Sequence, residues 1–118
     1  MSRRIERVNE LLREEISDVL REVHDPRIAG LVTITHVDVS PDLRHASAFV
    51  SVLGTDEEGA STMKALDHAR QFVRRELGRR VKLKYTPDID FRRDRSLEEG
   101  QAVTDLMRKT AEERGEKL

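Results

Sequence analysis

Apolar residues recur at helical spacing from the start of the chain. Ile5, Val8, Leu12, Ile16, Val19, Leu20 and Val23 fall on one side when the chain turns every 3.6 residues. That spacing predicts an amphipathic helix over 2–23. Asp25-Pro26 stops it, because the residue before a proline is pushed out of helical space. Residues 31–40 are rich in Val, Ile and Thr and predict a strand, but the apolar phase slips. Val32 and Ile34 alternate together, then Val37 and Val39 do. An odd step in a period of two predicts a bulge near Thr35-His36. Ser40-Pro41-Asp42 supplies turn chemistry, and Ala46, Ala48, Val50 and Val52 form the inner face of a second strand, closing a hairpin.

Residues 54–59 are read as an acidic loop, and helical spacing returns over 60–77, with Leu66, Ala69, Val73 and Leu77 as its stripe. Gly78 is expected to end this helix. From Val81 the alternation is clean: Val81, Leu83, Tyr85, Ile89 and Phe91 on one face, Lys82, Lys84, Asp88, Asp90 and Arg92 on the other. It predicts a strand with Pro87 inside it, at an edge or bulge. A weaker, charged helix carrying Val103, Leu106 and Met107 is expected after 94–99, and 108–118 is expected to fray as a charged tail beyond a domain over 1–107. The whole is expected to be an α+β domain, a three-stranded sheet covered by helices on one face.

Composition narrows the function. With 118 residues there is room for one modest core, and cysteine is absent, so neither disulfides nor thiolate metal sites can support the fold. A reducing, cytoplasmic setting suits such a chain, and no apolar run approaches a membrane span. Aromatic residues make up 3%, which argues against reading single-stranded RNA on rows of exposed rings but leaves a backbone reader open.

Charge is the informative property. The formal net charge is -1, yet Arg70, Arg74, Arg75, Arg79, Arg80, Lys82 and Lys84 cluster within fifteen positions, opposed only by Glu76. Local basic density in a neutral chain predicts a footprint for a polyanion, with a merely solvated face as the bland alternative. Arg74 and Arg75 lie away from the apolar stripe and Arg70 flanks it. Arg79 and Arg80 are placed in an exposed turn, and Lys82 and Lys84 on the outward strand face. The cations can then converge on one side as phosphate contacts, with Arg3 and Arg4 as an extension from the first helix.

Other chemistry is weakly supported. The glycine spacing over 54–59 resembles a phosphate loop, but lysine is missing and three acids would repel phosphate. His24, His36, His45 and His68 lack ligand spacing, and no nucleophile elbow or marked carboxylate pair is present. No cofactor, no metal, no catalytic residue and no small-molecule substrate are expected.

The order of elements resembles a type II KH domain, and several stretches resemble the bacterial ribosome-binding factor A family. They are Asp25-Pro26-Arg27, then Val37-Asp38-Val39-Ser40-Pro41-Asp42-Leu43 with Ala46, Phe49 and Val50, then Phe72-Val73-Arg74 and Leu77-Gly78. Leu83, Pro87, Ile89, Phe91, Asp94, Ser96 and Gly100 follow at matching spacing, so the likeness extends over 3–107. The resemblance implies an α-β-β-α-α-β order with a further C-terminal helix. It also implies a monomeric, non-catalytic assembly factor binding the small (30S) ribosomal subunit and its 16S rRNA during late maturation and rRNA processing, and keeping incomplete subunits from initiating. KH domains carry a Gly-x-x-Gly loop, absent here; the family has an Ala-x-Gly helix kink instead, which falls on Ala69-Arg70-Gln71 with Gln71 in place of glycine. Either Gln71 is strained at a positive φ in an interrupted helix, the expectation adopted, or the two helices run almost as one. The rival reading is a protein-interaction or regulatory module using its sheet surface; a small enzyme with a site built between elements is a third.

Overall fold

The computed structural model describes residues 3–28 and 32–94. Its elements are α1 (Arg3–Glu22), β1 (Val32–Val39), β2 (His45–Val52), α2 (Asp56–Arg80) and β3 (Asp88–Arg93). This is the expected α+β layout, with one long helix where the resemblance implies two. The expected C-terminal helix and charged tail fall outside the described residues.

The first helix forms as its periodicity predicts. Leu12, Ile16, Val19 and Leu20 are buried, with Ile5, Val8 and Val23 packed at the margin. Burying each such side chain contributes about 1.5–3 kcal/mol. Asn9, on the same helix, accepts a hydrogen bond from the Val39 N–H through Oδ1 at 2.8 Å, tying α1 to the end of β1.

β1 and β2 pair antiparallel, and the register shifts between Ile34 and His36, the bulge that the phase slip predicts. The Thr35 hydroxyl lies 2.8 Å from Asp94 Oδ2 and 3.2 Å from the Phe49 carbonyl, so the bulge is fastened to the chain just beyond β3. At the hairpin end Leu43 takes φ 61, and Ser40 and Asp42 bond the local backbone. β2 is central: Ala46, Ala48, Val50 and Val52 are buried on its helix-facing side, and β3 pairs with it in parallel. Both helices cover that one side, α1 chiefly over β1 and α2 over β3.

Three expectations about the second half are corrected. Residues 54–59 are not a loop throughout. Gly54 (φ 124) turns the chain, and Thr55 then caps α2, its hydroxyl accepting from the Glu58 N–H at 3.1 Å. Glu58 Oε1 accepts from the Thr55 N–H at 3.1 Å in return, completing a capping box. The acids at Asp56, Glu57 and Glu58 therefore mark a helix start, where the macrodipole favours negative charge.

Gly78 does not end the helix, which runs on to Arg80. Its missing Cβ serves packing instead: a methyl group there would lie 3.0 Å from Thr86 Oγ1, so glycine lets the returning chain lie close against α2. The strand expected from Val81 begins only at Asp88. Pro87 has no N–H to give to a ladder, and Asp88 makes the first bond, to the Arg44 carbonyl at 2.8 Å. Lys82 and Lys84 consequently sit on a connecting segment and not on a strand face.

The kink is also corrected. α2 passes through Ala69, Arg70 and Gln71 unbroken, and Leu43 is the one non-glycine residue with positive φ among the described residues. Glutamine is a good helix former without glycine's tolerance of left-handed backbone, so the substitution that removes the glycine also favours continuity.

The capping box makes a pH dependence measurable. The backbone and hydroxyl of Thr55 hold the Glu58 carboxyl below the usual glutamate range. A pKa depressed by folding contributes stability above the ordinary value of about 4.3, and that contribution is lost as pH falls through the lowered folded value. Replacing Glu58 with Gln keeps an acceptor but no titration. Acid unfolding followed by circular dichroism should then show a shallower loss of stability between pH 5 and pH 3 (range set by about 4.3 for glutamate) than in the parent.

Candidate nucleic-acid interface

Residues on α2 advance about 100° each, so consecutive arginines diverge around the helix. Arg70 and Arg74 lie on the flank toward β3, where Arg74 Nε is 3.3 Å from Asp88 Oδ1 and its Nη2 donates to the Thr86 carbonyl at 3.4 Å. Arg75 is exposed, and its side chain makes no ion pair or hydrogen bond among the described residues. Arg80 lies on the opposite flank, where it pairs with Glu22 of α1 and, at 3.7 Å, with Glu76. Its side chain is only 26% exposed, against 79% for Arg79, which pairs with Glu76 at 3.4 Å.

The structure thus divides the cluster. Arg70, Arg74, Arg75 and Lys84 come together beside β3, while Arg79 and Arg80 turn toward α1 or outward. Lys82 is exposed on the connecting segment. Arg3 and Arg4 start α1, about 27 Å along the axis from Glu22, so α1 does not bring them to Arg80.

Beside β3 the surface is concave. One hollow of about 500 Å³ is lined by Arg70, Gln71, Arg74, His45, Ser47, Asp88, Asp90 and Arg92, among others. A second, of about 440 Å³, continues along α2 past Gln71, Arg74, Arg75 and Gly78 to Lys84, Tyr85 and Thr86. The two share Gln71 and Arg74, so they form one groove between α2 and the chain leading through β3. Five cations line it against two carboxylates. Both acids are engaged: Asp88 with Arg74, and Asp90 with Arg92 at 2.8 Å and the Ser47 hydroxyl at 2.9 Å. Partial burial works against ionising Asp90, but the Arg92 and Ser47 hydrogen bonds outweigh it and hold its carboxyl below the usual range. Arg75 and Lys84, free of ion pairs among the described residues, give the groove its accessible charge.

Arg92, His45 and Ser47 are groove residues that the linear cluster omits. Arg92 was legible as a cation on the polar side of the last strand; its place opposite Arg70 depends on the parallel pairing of β2 and β3, which spacing does not reveal. Among the described residues no three His, Asp or Glu side chains gather as metal ligands. No described helix is long and apolar enough to cross a membrane.

A family model described as ribosome-binding factor A matches residues 4–107. Ribosome-binding factor A of Acetivibrio thermocellus is 47% identical over 116 residues, covering 97% of this chain and 94% of that protein. The Halothermothrix orenii protein of the same description is 51% identical over 111 residues, covering 93% and 90%. The crystal structure of ribosome-binding factor A from Thermus thermophilus shares the fold, with a TM-score of 0.70 at 24% identity over 78% of this chain and 98% of that one. A homology model of the Thermus thermophilus factor, fitted into a cryo-EM map of its complex with the 30S subunit, aligns at 28% identity and a TM-score of 0.61. It covers 74% of this chain and 91% of that one.

Proposed function

The chain belongs to the ribosome-binding factor A family, and from that premise we propose that it binds the small ribosomal subunit through the groove between α2 and β3. The groove holds phosphates of a 16S rRNA segment during late 30S maturation and rRNA processing. Arg70, Arg74, Arg75, Lys84 and Arg92 make the contacts, and no bond is made or broken. The bound factor works as a cytoplasmic monomer and keeps incomplete subunits from initiating.

One observation carries this reading: a continuous groove with five cations to two carboxylates, in a chain whose net charge is -1. A planar guanidinium bonds two phosphate oxygens at once. All the groove cations except Lys84 are arginines on α2 or β3, rigid elements that hold them in place, with Arg74 anchored by Asp88. Sedimentation tests the proposal. The protein should travel with free small subunits in preference to assembled ribosomes and dissociate steeply as salt rises. It should turn over neither ATP nor GTP. Salt-insensitive association, as a protein-only contact would give, would overturn it.

A further inference from the structure

The alternation of the sequence puts Tyr85 on the buried side of a strand. In the structure its residue is 49% exposed, on the segment between α2 and β3. That segment is held on both sides of the ring. Leu83 packs against the core, and its N–H bonds the Val81 carbonyl at 3.2 Å. The Thr86 carbonyl accepts from Arg74, and Pro87 is fully buried. An exposed ring is therefore carried on a segment anchored on both sides, by Leu83 before it and by Thr86 and Pro87 after it.

Two cations lie against it, the Arg44 guanidinium 4.8 Å and the Lys84 ammonium 5.6 Å from the ring centre. The ring also borders the second hollow, with Arg74, Arg75 and Lys84. Recognition of an unpaired base needs a flat π surface at fixed height beside cations that hold the flanking phosphates. A guanidinium against the ring adds a second plane on which a base can stack. The ring and Lys84 line the end of the groove, and Arg44 lies against the ring.

We propose that Tyr85 is a stacking site for one unpaired nucleobase of the RNA whose phosphates lie along the α2–β3 groove. The proposal rests on the groove reading and adds an interaction that charge alone does not supply. Stacking on a π face tolerates every base, so the site positions a strand without reading its sequence.

The chain has one tyrosine and no tryptophan, so its intrinsic emission reports this ring alone. Titration with a single-stranded adenine oligoribonucleotide should quench that emission, and an abasic ribose-phosphate strand of equal length should not. Tyr85→Leu should weaken binding of the adenine strand and of small subunits on the order of 10-fold or more. The salt slope should stay unchanged, since every phosphate is still held as in the parent. Tyr85→Phe should bind like the parent, and equal thermal midpoints would show that the variants fold.

Equal quenching by the abasic strand, or undiminished binding by Tyr85→Leu, would overturn the proposal. So would a Leu variant impaired on subunits when neither strand affects the emission, because the ring would then be meeting a protein. If the parent bound neither strand nor subunits, the groove reading would fall first and the stacking site with it.

Discussion

Reversing the charge of Arg70 and Arg75 together should weaken binding to small subunits by roughly 10²-fold at physiological salt. The slope of log affinity against log salt should fall by about one for each phosphate that is no longer held. The two residues line different halves of the groove. Arg70 has only an exposed ion pair with Asp67 at 3.7 Å, and Arg75 has no ion pair among the described residues, so neither holds the fold. Exposed substitutions of this kind shift stability by no more than about 0.5 kcal/mol. The matching change at Arg79 and Arg80 supplies the contrast. Glutamate at position 80 would face Glu22 and Glu76, so that variant should lose stability while its folded fraction binds far better than the groove variant. If the Arg79 and Arg80 variant, still folded, bound more weakly than the groove variant, the RNA would lie on the α1 side.

Gln71→Gly should destabilise the protein by roughly 0.5–1 kcal/mol, because glycine in a helix interior gives up more backbone freedom on folding. Gln71 lies mid-helix, four residues before Arg75 and without a positive φ, so there is no strain for glycine to relieve. In a domain of about this size the thermal midpoint should drop by about 2–6 °C. Denaturant unfolding with equal slopes for the two proteins would confirm that only stability changed. A neutral or stabilising result would mean that the helix bends at 69–71 in solution. Arg70 would then have to be moved relative to Arg74.

What the sequence disclosed depended on whether one element or two decided it. Periodicity within an element placed α1, the bulge at Thr35-His36 and the inner face of β2 correctly, because burial on one side imprints its own period. Signals with two physical meanings misled. Glycine at 78 is a stop when the chain needs a left-handed turn, but here it is a place for Thr86 to come close. Acids at 56–58 read as loop or as helix start, and only the reciprocal Thr55–Glu58 bonds decide. The basic cluster was legible as a cluster, but not its division. Arg80 leaves the group because Glu22, far away in sequence, waits across the helix pair. Arg92 joins it because β3 runs parallel to β2.

That parallel pairing bears on when the protein becomes competent during its own synthesis. An antiparallel pair closes through a short turn, whereas a parallel pair must wait for a crossover, here the whole stretch 53–87 with α2 in it. Closing so long a loop is entropically costly and slow compared with forming the β1–β2 hairpin. A nascent chain can therefore complete α1, the hairpin and most of α2, arginines included, while β3 is still inside the ribosome that is making it. Those arginines form one wall of a groove whose other wall has not arrived. The two-walled groove exists only once the last described strand has docked, so the surface proposed above to hold RNA is the last part of the described fold to form.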